Sequence, residues 1–202
     1  MIKQLFLKQQ QNSDTKSNRK LEIGPGKKRL EGFETLNVVK TYNTDHVADA
    51  SNTLPFEDQT FCYIYASHIL EHIPWYKVED TIREWTRVLK TGGTLEIWIP
   101  DGLKIAKAFV EAEENKNIDY LDDNWFKMNP EKDVCKWASG RIFTYGDGSG
   151  DTCHHNWHHA IFSERYIRKI LTIFGYNNIQ RLHKNNKQDH GWINMGFKAT
   201  KL

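Results

Sequence analysis

Disulfides, membrane spans and a strong charge of one sign are all missing from this sequence. Its 202 residues include only three cysteines, Cys62, Cys135 and Cys153, with no CxxC spacing. That odd number fits free thiols in a reducing compartment better than a disulfide framework. No apolar run approaches the ~18 residues of a membrane span, and the apolar stretch at the start is too short for a secretory signal. We therefore expect a cytoplasmic protein with no membrane partner.

The charge is nearly balanced, with 28 Lys and Arg against 26 Asp and Glu and a formal net charge of +2. This balance gives no electrostatic argument for a nucleic-acid partner, and we expect none. Hydrophobic residues make up 39% of the chain, which suits one globular domain with a sizeable core. The oligomeric state is left open by these numbers.

Hydrophobic periodicity divides the chain into a polar lead-in and one domain. Residues 1–19 are expected to be a flexible lead-in, and residues 20–202 a single domain. Strand-like runs occur at residues 20–23, 35–38, 46–48, 61–65 and 94–99. A helical pattern separates the last two runs, beginning near Pro74 and ending at Gly92. A strand, a helix and a strand in that order predict a βαβ unit and hence a parallel sheet.

The second half of the chain predicts two more helices and two more strands. One helix is expected at residues 103–114, and another begins after Ser163 and ends at Gly175. Strands near residues 179–182 and 192–200 follow, and we expect an antiparallel edge strand among them. The predicted fold is therefore α/β, with a mostly parallel sheet and helices on both faces.

Residues 115–160 have no clean period and are expected to form a small cap inserted after the fifth strand. The segment is rich in aromatic residues, among them Trp125, Phe126, Trp137, Tyr145 and Trp157. These side chains could offer flat faces to a sugar or a nucleobase. Alternatively, they form the small core that holds the cap on the sheet.

The first predicted strand ends at a glycine loop, Gly24-Pro25-Gly26, where a ligand can approach the backbone closely. The GxxxxGK[ST] pattern of a phosphate-binding loop is absent, and a dinucleotide site would need a third glycine where Arg29 stands. The remaining interpretation is a cofactor that contacts the glycines through uncharged parts. Only eight residues separate Gly26 from Thr35, so the first crossover helix is predicted to be very short or absent.

Four segments in order carry a family resemblance: "LEIGPG", "VADASNTLPFEDQTF", "YASHILEHI" and "EWTRVLKTGGTLEIWIPD". Together they resemble class I S-adenosylmethionine-dependent methyltransferases, in particular the short type 11-like branch with "LEH" after the fourth strand. The resemblance covers residues 20–101 well. It implies a Rossmann-like sheet and S-adenosylmethionine as the cofactor.

The resemblance also implies which residues bind that cofactor. Glu22 and the loop Gly24, Pro25 and Gly26 would lie along its methionine part, with Glu22 placing the amino group. Asp49 would accept a hydrogen bond from the adenine amine, and the Ala50 amide would meet a ring nitrogen. Ser67 and His68 would follow the fourth strand beside the methionine ammonium.

One position departs from the family pattern. The second strand usually ends in Asp or Glu, which binds the ribose hydroxyls, and here Val39 takes that place. A valine accepts no hydrogen bond, so a contact worth ~1.5–3 kcal/mol is missing. We therefore expect weaker cofactor binding unless Asn37, Lys40 or Thr41 substitutes.

Candidate catalytic residues follow the same strands. His72 is the first choice for a general base because it begins the segment after the fourth strand, and His68 and Asp101 come next. His72 could instead only cap or pack a helix. Asp101 is equally well placed to be a helix N-cap.

The segment "CHHNWHH" at residues 153–159 is the densest cluster of histidines. In a helix its i, i+4 pairs could chelate Zn²⁺, but the flanking "GDGSGDT" favours a loop, and we expect no metal. By resemblance, His158 or His159 would face the substrate, and Tyr145 of the cap would contact it as well.

The sequence thus predicts methyl transfer from S-adenosylmethionine to a small molecule or a saccharide-type acceptor. A non-catalytic cofactor-binding protein on the same fold is the main alternative, and Val39 is the feature that favours it. Transfer of another group, such as aminopropyl, would call for more acidic residues near the acceptor.

Overall fold

A computed structural model describes residues 18–114, 116, 129–144, 146–185, 187 and 191–202. Almost all of the predicted lead-in lies outside the described residues, as do Trp125, Phe126 and Tyr145. None of the three cysteines is in a disulfide.

The centre of the molecule is a sheet of seven strands: β1 (Lys20–Ile23), β2 (Glu34–Asn37), β3 (His46–Val47), β4 (Phe61–Ser67), β5 (Leu89–Pro100), β6 (Tyr176–Leu182) and β7 (Asn194–Lys201). Their spatial order is β3-β2-β1-β4-β5-β7-β6. The first five strands are parallel, and β7 runs antiparallel to both β5 and β6. The edge strand β6 therefore pairs antiparallel with its neighbour β7, and the expected late antiparallel edge is confirmed.

The described helices are α1 (Val78–Val88), α2 (Gly102–Glu113), α3 (Val134–Phe143) and α4 (Glu164–Ile173). Two 3₁₀ turns, Leu70–His72 and Trp75–Lys77, precede α1. The predicted caps of α4 are confirmed, because the Ser163 side chain accepts a hydrogen bond from Tyr166 N and Gly175 follows with φ +80°. Among the described residues, no helix has the length and apolar character needed to cross a membrane.

The main core lies between one face of the sheet and helices α1 and α4. Alternate residues of β5, namely Leu95, Ile97 and Ile99, are buried there, as the two-residue period of a strand requires. In α1, Ile82 and Trp85 are fully buried. The Trp85 indole also donates to the Ala50 carbonyl at 3.0 Å, which fixes the β3–β4 loop to α1.

Two of the sheet connections contain no helix. Residues 24–33 join β1 to β2, and residues 38–45 join β2 to β3, as turns and loops. The prediction of a missing first crossover helix is confirmed.

The cap contains a helix that the sequence pattern did not indicate. Helix α3 begins after Asp133, whose side chain accepts from Lys136 N at 2.8 Å. Trp137 is fully buried against Ile105 and Ala108 of α2. Trp137 is therefore a core residue of the cap and does not offer its face to a ligand.

Candidate functional site

A cavity of about 440 Å³ opens at the carboxyl ends of four neighbouring parallel strands. Its walls are the glycine loop after β1, the end of β2, residues 49–51 after β3 and residues 67–74 after β4, with His155, Asn156 and Lys187 completing the lining. This is the usual place for a ligand in an open α/β sheet. The volume lies within the range of small-molecule and cofactor sites.

The glycine loop requires a glycine at position 24. Its φ of +71° suits glycine, and an added Cβ would overlap the side chain of Ile69, whose Cγ1 would be 2.7 Å away. Its amide donates to the Leu36 carbonyl at 2.8 Å, which ties the loop to β2. A side chain at Gly24 would therefore have to displace the Ile69 side chain. At Gly26, by contrast, an added Cβ would meet nothing within 4 Å.

Glu22 lies behind the glycine loop and is fully buried. One carboxylate oxygen accepts from Leu30 N at 2.6 Å, and the other pairs with the Lys187 ammonium. Lys187 also donates to the Pro25 carbonyl at 3.0 Å. The ammonium group of Lys187 thus occupies the place beside Glu22 where the resemblance puts the cofactor's amino group. No sequence signal indicated Lys187, because tertiary folding alone brings it to β1.

At the end of β2, Asn37 and Val38 line the cavity, whereas Val39 does not and is 40% exposed. The Asn37 side-chain oxygen accepts from Val38 N at 2.9 Å. Strand β2 ends at Asn37, so Val39 lies two residues beyond the strand end, and its placement at the ribose stays a prediction.

The β3–β4 loop brings Asp49 and Ala50 to the cavity as expected. The Asp49 carboxylate accepts from Ser51 N at 2.8 Å and from the Asn52 side-chain amide at 3.1 Å. These bonds form an Asx turn that presents the carboxylate at the cavity wall. Its contact with adenine stays a prediction.

The segment after β4 begins with His68, a non-glycine residue with φ +55°. Such a conformation is uncommon and persists where surrounding contacts hold it. Here the His68 amide donates to the Trp98 carbonyl at 2.8 Å, and its Nδ1 lies 2.8 Å from Glu71 Oε1. Ser67 Oγ accepts from the Asn185 side chain at 3.3 Å.

Glu71, which the sequence analysis quoted only as part of a motif, is a fully buried acid in this segment. Burial by itself would raise the pKa of its carboxyl, but the imidazoles of His68, His72 and His158 outweigh burial and hold that pKa at about 2. Glu71 is therefore a carboxylate at neutral pH. Its Oε2 has no hydrogen-bond partner among the described residues.

Two imidazoles stand beside this carboxylate. The ring centroids of His72 and His158 are 4.9 Å apart. His72 Nδ1 lies 3.3 Å from the Trp157 carbonyl. Burial, together with His72 and His68, lowers the pKa of His158 to about 4 although Glu71 opposes this. His158 is therefore neutral at pH 7.

The histidine-rich segment 153–159 is a series of turns and not a helix. His154 and His155 stack on each other, with ring centroids 4.3 Å apart, and His155 reaches the cavity. The side chain of His159 is exposed, while its amide donates to the Glu71 carbonyl at 2.7 Å. That bond holds the turn against the segment after β4, so that His158 and not His159 faces Glu71.

Asp101 lies away from the cavity. Its side chain accepts from Lys104 N at 3.2 Å as the N-cap of α2, and it pairs with Arg181 at 3.2 Å. These contacts match the N-cap alternative, and a role as base stays a prediction.

The structure therefore gathers most of the predicted residues around one cavity: Gly24, Pro25, Gly26, Asp49, Ala50, Ser67, His68 and His72. Glu22 supports the loop from behind, and His158 stands behind His72. Val39 and Asp101 are not part of the lining, and Tyr145 lies outside the described residues. The roles of all these residues stay predictions.

Comparison with known proteins agrees with this geometry. Residues 27–97 match a family model described as "Methyltransferase domain". A SAM-dependent methyltransferase from Methanosarcina mazei superposes with a TM-score of 0.54 at 17% identity, covering 93% of both chains. Another from Archaeoglobus fulgidus gives 0.54 at 10% identity, covering 98% of this chain and 94% of that one. No curated protein matches. The class I methyltransferase resemblance seen in the sequence is thereby confirmed, and the solved structures share the fold.

Proposed function

We propose that this protein, which has a class I methyltransferase fold and a matching domain at residues 27–97, transfers methyl groups from S-adenosylmethionine to a small molecule or a saccharide-type acceptor. One observation carries the proposal: the cavity at the ends of β1, β2, β3 and β4 is lined by most of the residues that the resemblance assigns to the cofactor, Glu22 and Val39 excepted. Methyl transfer from a sulfonium is an in-line displacement. The protein therefore has mainly to align the two reactants and accept a proton where the acceptor carries one.

The cofactor would lie across these strand ends. Its methionine part would follow Gly24–Gly26, and its amino group would replace the Lys187 ammonium at Glu22. Its ribose would face Asn37 and Val38, and its adenine would meet Asp49 and Ala50. The methyl group would then point toward the segment that carries His68 and His72.

The acceptor would enter on the side formed by His155 and Asn156, which line the cavity from the cap. Among the predicted bases, His68 and His72 border the cavity and Asp101 does not, so the proton of the acceptor would leave on the histidine side. The unpaired cysteines suit a reducing, cytoplasmic location.

Calorimetric titration with S-adenosylmethionine and S-adenosylhomocysteine tests the proposal. We expect saturable binding at micromolar concentration. Asp49→Ala should weaken binding ~10- to 100-fold, since it removes a charge-assisted hydrogen bond worth ~1.5–3 kcal/mol. Glu57→Ala, an exposed change in the same loop, is the matched control and should leave binding unchanged.

Absence of heat up to millimolar concentration of both compounds would contradict the proposal. Binding of both compounds without methyl transfer to any sugar, sugar nucleotide or other small acceptor would favour the alternative, a non-catalytic cofactor-binding protein.

A further inference from the structure

Glu71 and His158 have no role in the proposed reaction, and together with His72, a candidate base, they form one cluster of side chains. One oxygen or nitrogen atom from each of the three side chains lies within 4.8 Å of the other two. Glu71 is the central member, with a side chain only 1% exposed. A buried carboxylate oxygen without a hydrogen-bond partner among the described residues is costly unless something binds it.

From this geometry we infer that Glu71, His72 and His158 bind one divalent metal ion of the zinc class at the wall of the cavity. Two imidazoles and a carboxylate are a known catalytic zinc ligand set, in which three protein ligands leave the fourth position open. Mg²⁺ and Ca²⁺ prefer oxygen ligands alone and suit this set poorly.

The surroundings of His72 favour ligation. Metal-binding imidazoles usually donate their second ring nitrogen to a carbonyl or carboxylate, which fixes the tautomer. His72 Nδ1 faces the Trp157 carbonyl at 3.3 Å. The other ring nitrogen of His72 then carries a lone pair. In a tetrahedral site with bonds of ~2.0 Å the ligand atoms stand ~3.3 Å apart, so small side-chain rotations would close the cluster around an ion.

The backbone holds the two halves of the site together. Both His159 N and Ala160 N donate to the Glu71 carbonyl, at 2.7 and 3.2 Å, and Trp75 N donates to the His159 carbonyl at 3.3 Å. These bonds fix the turn that carries His158 to the segment that carries Glu71 and His72. The expectation of no metal considered only pairs within residues 153–159, whereas this ligand set combines two distant segments.

The open position gives the ion a role in methyl transfer, and this role rests on the proposed function. His72 borders the cavity, so an acceptor hydroxyl could take the open position beside the methyl group. Coordination would lower the pKa of the hydroxyl, and its proton would pass to water in the cavity. The oxygen would then form a bond to the methyl carbon while the sulfur–methyl bond breaks and its electron pair returns to sulfur. His72 would be a ligand in this scheme and not the base.

The test uses the metal alone. Full-length protein freed of metal with a chelator is titrated with Zn²⁺ by calorimetry and with Co²⁺ by visible absorption, with Mg²⁺ as the hard-ion control. We expect one equivalent of Zn²⁺ and no comparable binding of Mg²⁺. Glu71→Gln and His158→Asn should each weaken Zn²⁺ binding by at least ~100-fold, since loss of an outer-shell partner alone costs 10–100-fold. His159→Asn, the exposed neighbour in the same turn, should bind as the wild type does.

The inference is overturned if the metal-free protein binds no Zn²⁺ at micromolar concentration. It is also overturned if both ligand variants bind like the wild type, since the ion would then lie elsewhere, for example at Cys153–His155. Circular dichroism shows whether each variant is folded. If Glu71→Gln does not fold, Zn²⁺ binding by His158→Asn alone tests the metal site.

Titration of the same preparations with S-adenosylhomocysteine separates this inference from the proposed function. Binding of S-adenosylhomocysteine without binding of Zn²⁺ overturns the metal site alone. Binding of Zn²⁺ that depends on Glu71 and His158, without binding of S-adenosylhomocysteine, supports the site and overturns the proposed function.

Discussion

At the scale of single residues, the end of β2 decides how firmly the ribose would be held. Val38 lines the cavity and Val39 does not. Val38→Asp should therefore place a carboxylate against the ribose hydroxyls and tighten S-adenosylhomocysteine binding ~10-fold. Val39→Asp is the matched control and should leave the dissociation constant unchanged. Calorimetry of both variants measures the two dissociation constants. Tighter binding by Val39→Asp alone would show that residue 39, and not residue 38, faces the ribose.

The residues that border the cavity differ in how readily the sequence reveals them. Gly24 could be predicted because a glycine loop follows a strand, and the family resemblance implied Asp49 and His68. Lys187 could not, since it reaches Glu22 only through folding of the chain after β6. Likewise, nothing in the pattern around His158 indicated that it would meet Glu71.

At the scale of elements, β2 is held in the sheet without a crossover helix on either side. Asp45 helps to hold β2 in place, because its carboxylate accepts a hydrogen bond from Thr35 N at 3.0 Å and pairs with Arg29 at 2.5 Å. The bond from Arg29, aided by the Thr35 amide and opposed by burial, lowers the pKa of Asp45 below its ordinary value of 3.8. The stabilisation is therefore present above pH 3.8 and is lost as the pH falls below that value.

Asp45→Asn should lower the free energy of unfolding at pH 7 by about 1 kcal/mol, a modest amount because the pair is partly exposed and screened. The difference from wild type should shrink as the pH falls below 3.8. Urea unfolding at pH 7, 5 and 3 measures it. Asp80→Asn, which breaks an exposed ion pair on α1, should change stability little at any of these values. A constant difference for Asp45→Asn across this range would mean that the charge of Asp45 is not the cause.

The helices and strands were predictable to the extent that their burial is periodic. The two helices that cover the core face have buried residues every three to four positions. The bounds of α4 agree with the pattern, whereas α1 begins at Val78 and ends at Val88; its predicted end at Gly92 is wrong, because Gly92 lies in β5. Helix α3 escaped prediction because its buried residues include Gly140 and Arg141 beside Trp137, which is not an apolar period. The position of β7 inside the sheet depends on long-range pairing with β5, which no local pattern encodes.

At the scale of the whole molecule, the cavity joins four strands that are linked mostly by loops. A ligand spanning it would stabilise the folded state by mass action, by ~2.7 kcal/mol at one hundred times its dissociation constant. For a chain of this size that corresponds to a rise of about 5–10 °C in Tm. Differential scanning calorimetry with and without S-adenosylhomocysteine checks the value, and an unchanged Tm at saturating ligand would contradict the site assignment.

The ion pair between Lys187 and Glu22 has a further consequence, for the rate of cofactor entry. Under the proposed function, an incoming ammonium group must replace one that the protein already supplies, so the Lys187 side chain has to leave first. The observed association rate should then rise with cofactor concentration only until it equals the rate of that departure. One cation replaces another at the Glu22 carboxylate. The affinity for the cofactor should therefore vary little with ionic strength, although this carboxylate is a buried charge.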